Sequence, residues 1–320
     1  MPQQVLDLVR AAAGPDAEGE VLVQRTDLGL TRFANSSIHQ NVAESTTWVR
    51  LRLHHQGRTA AGSTTLTVPD ALRDLVDRTV SACRLGPPDP TWPGLAPPAG
   101  LATIGTVDER IVAASPADRA RLVRAFVDAA AGLPTAGFCR TQHWRVEFAN
   151  SAGQSVHGAG TEAAMDAIAR AGSDGVADGL ARVAGAHLSD VDGAALGTRA
   201  AAKALAARDP VELPPGRYQV VLEPAAVDDL LTMLAIYGFN AKAVAERRSF
   251  AEIGAQQFDP GLTLVDDATR PGAIGLPFDP EGTPRRRLEL VTAGVTSGLA
   301  HDRRTAAGAG TGSTGHAQPG

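Results

Sequence analysis

The sequence has 320 residues, of which 43% are hydrophobic and 20% are charged, as is ordinary for a soluble globular protein. This length favours two domains, because single hydrophobic cores stop growing at about 250–300 residues. The net charge of −5 at pH 7 provides no overall attraction to nucleic acid or to anionic membranes, so neither is expected as a partner.

Cysteine content and hydropathy favour the cytoplasm. The two cysteines, Cys83 and Cys139, are too few for a disulfide framework and suit a reducing compartment. No apolar run approaches the roughly 18 residues that a membrane span needs. Residues 1–14 also lack the basic region and apolar core of a signal peptide. We therefore expect a cytoplasmic protein.

Helical and strand patterns alternate along residues 1–208. Alternation of side chains predicts a strand at 21–25, a hairpin at 44–65 with its turn at Gln56-Gly57, and a strand pair at 141–161 with its turn at 150–153. Apolar spacing predicts helices at 5–12, 71–85, 118–131 and 190–208, and the proline-rich residues 86–100 are predicted to be irregular. We expect an N-terminal α/β domain over residues 1–208.

Asp209-Pro210 marks the predicted boundary to a second domain, residues 209–320. The apolar run VVLEP at 220–224 reads as a buried strand. The helix that follows it has an apolar face formed by Val227, Leu230, Leu231 and Leu234. Strand-like runs at 262–267 and 286–295 suggest that this second half is the more β-rich one. The predicted fold class is thus α/β (α+β), with a β-rich C-terminal domain.

Common catalytic motifs are missing from the sequence. It contains no H-E-x-x-H, no C-x-x-C and no G-x-S-x-G. GTGSTG at 310–315 matches a dinucleotide-binding loop, but that interpretation is disfavoured because the pattern has meaning only between a strand and a helix of a βαβ unit. Three acidic pairs offer metal-binding or acid–base groups, but helix-dipole and turn roles are favoured for them: Asp228 with Asp229, Asp266 with Asp267, and Asp279 with Glu281.

Several segments occur in the order typical of one family. They read RFANSSIHQN from residue 32, VEFANSAGQSVHGAGT from 146, GRYQVVLEPAAVDDLL from 216, VDDATRPGAIGLPFDPEGTPRRRLEL from 265 and STGHAQPG from 313. On these motifs the chain resembles the TldD/PmbA (TldD/TldE) metallopeptidase family over nearly its whole length. The motif positions that we single out are Arg32, Asn35, Asn150, Gly153, Asp279, Glu281, Gly282, Thr314 and Gly315.

The resemblance implies a subunit without its own zinc site. In TldD-type relatives the helix after the strand carries H-E-x-x-x-H, whose positions are occupied here by Thr232, Met233 and Tyr237. These side chains lack the imidazole ligands and the base that a zinc peptidase needs. The two histidine positions of the motif are five residues apart, so on a regular helix their side chains would point about 140° away from each other. Nothing in the sequence demands a distorted helix that would bring them together. The chain thus has no expected catalytic, metal-binding or cofactor-binding residue.

By resemblance, the chain is a TldE/PmbA-like subunit that works with a TldD-type catalytic subunit, which would hold the zinc. Such assemblies cut unfolded or leader peptides in the cytoplasm. Relatives continue beyond S-T-G-H with further strands, so the resemblance also implies a C-terminally truncated chain.

Two other functions stay open at this point. One is a ligand-free binding or scaffold homologue, as a homodimer, with no proteolytic role. The other is an independent hydrolase that uses His301 or His316 with the acids around Asp279. Whether the chain is itself an enzyme is undecided by the sequence.

Overall fold

The computed structural model describes residues 1–101, 107–172 and 177–318. The helices are α1 (Pro2–Ala13), α2 (Pro69–Leu85), α3 (Glu109–Val112), α4 (Pro116–Ala129), α5 (Gly193–Ala206), α6 (Pro224–Met233), α7 (Ala241–Ala245) and α8 (Arg303–Gly308). The strands are β1 (Glu18–Ala34), β2 (Ser37–His55), β3 (Arg58–Thr64), β4 (Thr135–Asn150), β5 (Ser155–Ala171), β6 (Ala177–Gly185), β7 (Leu264–Asp266), β8 (Leu288–Thr292) and β9 (Val295–Thr296).

Long antiparallel hairpins build a large sheet with the order β3-β2-β1-β4-β5-β6 among the described residues. The predicted turn at Gln56-Gly57 is confirmed, and its residues have φ values of 51° and 72°, the left-handed values that tight hairpin turns require. The predicted turn at 150–153 is confirmed as well, where Asn150 N–H donates to the Gln154 carbonyl. The mixed α/β fold class is thereby confirmed.

Helices cover one face of the large sheet. At one end α1 and α2 pack on Val21, Val49 and Leu51. At the other end α5 packs on the alanine-rich strands β5 and β6, and α4 packs on α5, β1 and β4. The predicted helices at 5–12, 71–85, 118–131 and 190–208 correspond to these four elements. Cys83 and Cys139 are buried there as free thiols, as expected.

The opposite face of the large sheet is covered in part by the second half of the chain. Because side chains alternate along a strand, Leu22, Val146 and Phe148 turn away from the helices. They form a small core with Phe278, from the motif FDPEGTP. The second half is therefore fastened onto the sheet where this motif lies.

The second half departs from the sequence prediction in its strands. Its described residues form one small sheet, in the order β7-β8-β9, with strands of three, five and two residues. The expectation that this half would be the more β-rich is therefore not met, because the long strands all lie before residue 186. The predicted boundary at residue 209 falls in a stretch without helix or strand and stays a prediction.

The predicted buried strand at 220–224 is wrong for the described structure. Residues 217–223 form no strand, and Val221 is 96% exposed. The apolar face of α6 is also largely exposed, since Leu230 is 54% accessible, and of that face only Leu234 packs against the core around Phe239. The reason is that no described segment lies beside residues 217–222 to accept their backbone hydrogen bonds or to cover their side chains.

Candidate functional site

The first candidate site is the end of α6, where Thr232, Met233 and Tyr237 occupy the positions of H-E-x-x-x-H. The helix is not regular there, because a π-helical turn over Leu234–Gly238 follows it directly. Phe239 N–H donates to the Leu234 carbonyl, five residues earlier, at 2.8 Å. Such wide turns are frequent at functional sites, and they bring residues five apart closer to one face.

The expectation of a regular helix is therefore wrong, and buried contacts explain the wide turn. Phe239 is 1% exposed and its ring lies 6.0 Å from Phe250 and 6.1 Å from Phe258. Ser249 Oγ donates to the Gly238 carbonyl at 2.6 Å. Anchoring this end of the turn fixes its geometry independently of any metal.

The side chains at this turn do not fit zinc. Met233 is 52% exposed and Tyr237 is 55% exposed, and Thr232 also faces solvent. A hydroxyl, a thioether and a phenol supply neither the ligands nor the base of a zinc peptidase. Across residues 1–101, 107–172 and 177–318, no cluster of three or more His, Cys, Asp or Glu is placed to hold a metal ion. No chemical step can be derived at this turn.

A second set of motif residues forms a buried joint between the two halves. Asp279 is 1% exposed, and its carboxylate accepts hydrogen bonds from the backbone N–H groups of Glu281, Thr283 and Ala317 at 2.9–3.0 Å. Burial raises the pKa of Asp279, while these backbone donors oppose the shift. The residue thus ties the FDPEGTP turn to the last described residues of the chain.

Glu281 continues the joint into the large sheet. Its Oε1 accepts from Arg52 Nη2 at 2.9 Å, and its Oε2 accepts from the Arg303 backbone N–H at 2.9 Å. Arg52 also donates to Glu20 Oε2 at 2.9 Å, so one guanidinium bridges two buried carboxylates. We call these three residues the Glu20–Arg52–Glu281 cluster.

Glu20 carries the large pKa shift of this cluster. Burial raises its pKa to about 7 from 4.5; Arg52 opposes the shift and the Glu281 carboxylate adds to it. Charged side chains almost never lie fully buried unless they are paired. Arg52 pairs with both Glu20 and Glu281. When Glu20, which is 3% exposed, is protonated near neutral pH, the ion pair between Arg52 and Glu281 remains.

The glycine and amide positions of the motifs allow close packing at the joint. Gly282 has φ +73°, and a Cβ there would lie 2.2 Å from the Phe148 ring. Its carbonyl accepts from Gln154 Nε2 at 2.9 Å. Asn150 bonds the Ala96 carbonyl at 2.8 Å and closes the β4–β5 turn, where Gly153 has φ +93°.

The last motif places Thr314 against His301 and His316. Thr314 Oγ1 accepts from His301 N–H at 2.8 Å and donates to the His301 carbonyl at 3.0 Å. His316 Nδ1 lies 3.0 Å from the same hydroxyl, and its Nε2 lies 3.2 Å from Asp266 Oδ1. Although this acid–histidine–hydroxyl order resembles a hydrolase triad, Thr314 is 5% exposed and its proton is held by a carbonyl. The arrangement is structural, which disfavours an independent hydrolase here.

Two of the predicted positions lie elsewhere. Arg32 and Asn35 are exposed at the far end of β1, where Asn35 has φ 50° in the turn before β2. In the register of β1 with β4, Glu20 lies opposite Asn150 near the joint, whereas Arg32 lies opposite Phe138. Twelve residues of strand separate the two places, about 40 Å at 3.3 Å per residue. The structure thus brings together the other motif positions without Arg32 and Asn35. These are Asn150, Gly153, Asp279, Glu281, Gly282, Thr314 and Gly315.

Sequence reasoning missed Glu20 and Arg52. Glu281 and Arg52 are 229 residues apart, and no local pattern links positions so distant. The available signal was the pair Arg50 and Arg52 on alternate positions of a strand that is otherwise apolar there. When Leu51 and Leu53 bury one face of the strand and the cations on the other face are buried too, those cations require buried acids as partners.

Comparisons with known proteins agree with this architecture. Residues 215–320, including Pro319 and Gly320 outside the described residues, match the family model described as PmbA/TldA metallopeptidase C-terminal domain. No curated protein matches the sequence. The crystal structure of TldE from Thermococcus kodakarensis is similar over 98% of this chain and 73% of its own, with a TM-score of 0.84 and 20% identity.

Two further structures are candidate modulators of DNA gyrase. The one from Thermotoga maritima has a TM-score of 0.82 and 20% identity over 98% of this chain and 74% of its own. The one from Bacteroides thetaiotaomicron has a TM-score of 0.86 and 18% identity over the same shares. At such identities the similarity establishes the fold. The matched C-terminal domain carries the resemblance to the TldD/PmbA family, over residues 215–320. Among the described helices, none is long and apolar enough to cross a membrane.

Proposed function

We propose that this chain is the non-catalytic, TldE/PmbA-like subunit of a cytoplasmic TldD/TldE-type zinc metalloprotease that processes or degrades unfolded or leader peptides. The observation that carries the proposal is the wide turn after α6. It has the i to i+5 geometry that an H-E-x-x-x-H spacing would use, but Thr232, Met233 and Tyr237 offer neither zinc ligands nor a base. Zinc and the cutting reaction therefore belong to a TldD-type partner.

Exposed apolar side chains support the need for a partner. Within a stretch of 17 residues, four apolar side chains are 48–96% exposed: Val220, Val221, Leu230 and Ile236. A concentration of large exposed apolar side chains favours an interaction surface. The stretch includes the end of α6, so a partner bound there would lie beside the wide turn.

An open strand edge supports a role in holding extended peptides. Among the described residues, β3 pairs only with Val49–His55 of β2, so the outer edge of residues 37–48 has no strand beside it. An extended peptide can add to such an edge through main-chain hydrogen bonds that do not depend on sequence. This mode suits substrates that have an unfolded state in common rather than a sequence motif.

Co-expression with an H-E-x-x-x-H homologue from the same genome tests the proposal. A tagged homologue should retain this chain through purification, and substitution of Val221 and Leu230 by aspartate in this chain should abolish retention. Leu85→Asp is the control, since Leu85 is 88% exposed on α2, away from the stretch. Failure of capture, with this chain instead purifying as a stable homodimer, would favour the scaffold alternative.

A further inference from the structure

A cavity that the proposed function leaves unused lies between the large sheet and the loop before Asp279. Its volume is about 280 Å³. Gln24, Trp48 and Trp144 line it from the sheet, and Phe278 and Arg285 line it from the loop. This volume is just below the usual range for ligand sites, about 300–1,000 Å³, and gives room for one large side chain and its backbone groups.

Arg285 gives the cavity an unpaired positive charge. Its Nε is buried without a hydrogen-bond partner, and its guanidinium forms no ion pair with any described residue. Asp279 also lines the cavity, but backbone N–H groups occupy both of its oxygens. Asp266, whose pKa Arg285 helps to lower, is paired with His316 at 3.2 Å. A buried donor without a partner is unfavourable, so this guanidinium suits a carboxylate ligand.

Two tryptophans form the apolar wall. The Trp144 ring lies over Gly160, where a Cβ would come within 2.8 Å of it, so the glycine makes room for the indole. Trp48 lies opposite Gln24 on the neighbouring strand. Gln24 donates through Nε2 to Thr26 Oγ1 at 3.1 Å, which leaves its Oε1 as an acceptor. The lining therefore offers an anion site, apolar walls and one acceptor for an N–H group.

We propose that this cavity binds the carboxyl-terminal residue of a peptide. The free carboxylate pairs with Arg285, the apolar or aromatic side chain lies against Trp48 and Trp144, and the amide N–H faces Gln24. The proposal rests on the proposed function only for the source of the peptide. An N-acylated amino acid carries the same chemistry, so the test includes both.

Calorimetric titration of the purified chain with N-acetyl-Ala-Ala-Phe tests the proposal, with the carboxyl-terminal amide of the same peptide as the matched ligand. The free acid should bind saturably, and the amide should bind about 10- to 100-fold more weakly, as expected for loss of a charged hydrogen bond. N-acetyl-phenylalanine should bind as well as the peptide if one residue suffices, and more weakly if the preceding residues contribute.

Arg285→Gln should weaken binding of the free acid to the level of the amide, whereas Arg286→Gln, its exposed neighbour, should leave binding unchanged. Equal affinity for acid and amide would overturn the proposal even if Arg285→Gln failed to fold. Absence of saturable binding at millimolar peptide would also overturn it. Neither result bears on partner capture, which tests the proposed function separately.

Discussion

Glu20 gives the folded chain a pH-dependent stability whose sign follows from its buried position. Because burial raises its pKa to about 7 from 4.5, the folded state holds a proton between these values that the unfolded state has released. This contribution is complete below pH 4.5 and is lost as the pH rises through 7. The folded chain should therefore lose stability toward alkaline pH.

Glu20→Gln should remove this dependence, because glutamine has the shape of the protonated acid and does not ionise. Between pH 5 and pH 8 the titration of Glu20 should lower the unfolding free energy of the wild type by ~2–3 kcal/mol. The variant should not show this loss. Urea denaturation at both pH values measures this difference, with exposed Glu252→Gln as the control. A Glu20→Gln effect that is the same at both pH values would contradict the assigned pKa.

Gly282 should tolerate no side chain. Gly282→Ala places a methyl group 2.2 Å from the Phe148 ring at φ +73°, so strain and a clash act together. We expect a loss of ~3 kcal/mol or more in unfolding free energy. Gly272→Ala is the matched control, because Gly272 has φ +75° with nothing near its Cβ position, and only backbone strain of about 1–2 kcal/mol applies there. Equal losses measured by thermal denaturation would show that the packing against Phe148 is unimportant.

Two proline-rich elements should differ in their resistance to proteases. Residues 207–223 have no helix or strand, and no described backbone hydrogen bond ties 208–222 to another segment. Residues 86–98 are also irregular, but Trp92 donates to Glu18 and Asn150 donates to the Ala96 carbonyl. Because cleavage requires a local opening, we expect the first cuts within 207–223.

Limited proteolysis followed by mass spectrometry measures this order. The captured TldD-type partner should protect the stretch around Val221, which is 96% exposed in the isolated chain. First cleavage within 86–98, or no protection by the partner, would contradict the account of this surface.

Elements differ in how far the sequence predicts them. The hairpins were predictable because alternation and the Gln56-Gly57 turn are local signals, and the main helices because their apolar spacing is local. Residues 220–224 were mispredicted, and the apolar face of the correctly predicted helix α6 lies largely exposed, for a common reason: an apolar pattern indicates that a surface should be covered, not that a described segment covers it. The wide turn was missed because the buried contacts of Phe239 that fix it come from residues 250 and 258.

The candidate site was predictable in part. Motif reasoning selected Asp279, Glu281 and Gly282, but their common role at the joint depends on Arg52 and Phe148 from distant strands. Local spacing carries no information about such contacts. Arg32 and Asn35 were selected by the same motifs, yet the register of β1 places them at the other end of the sheet.

On the scale of the whole molecule, the two halves meet through ion pairs as well as apolar packing. Arg304 pairs with Asp89 at 2.7 Å, and hydrogen bonds to Arg304 and Thr59 hold the pKa of that carboxyl well below its usual range. With the Glu20–Arg52–Glu281 cluster, this pair fixes the second half against the sheet.

The most direct test of the central claim is zinc content and peptidase activity for this chain, alone and with a TldD-type subunit. Alone, the chain should hold no stoichiometric zinc and leave an unfolded peptide uncut. Together, the two should cut it, and activity should survive Tyr237→Phe here but not loss of the glutamate in the partner's H-E-x-x-x-H. One tightly held zinc per chain, with unaided cleavage, would contradict the account.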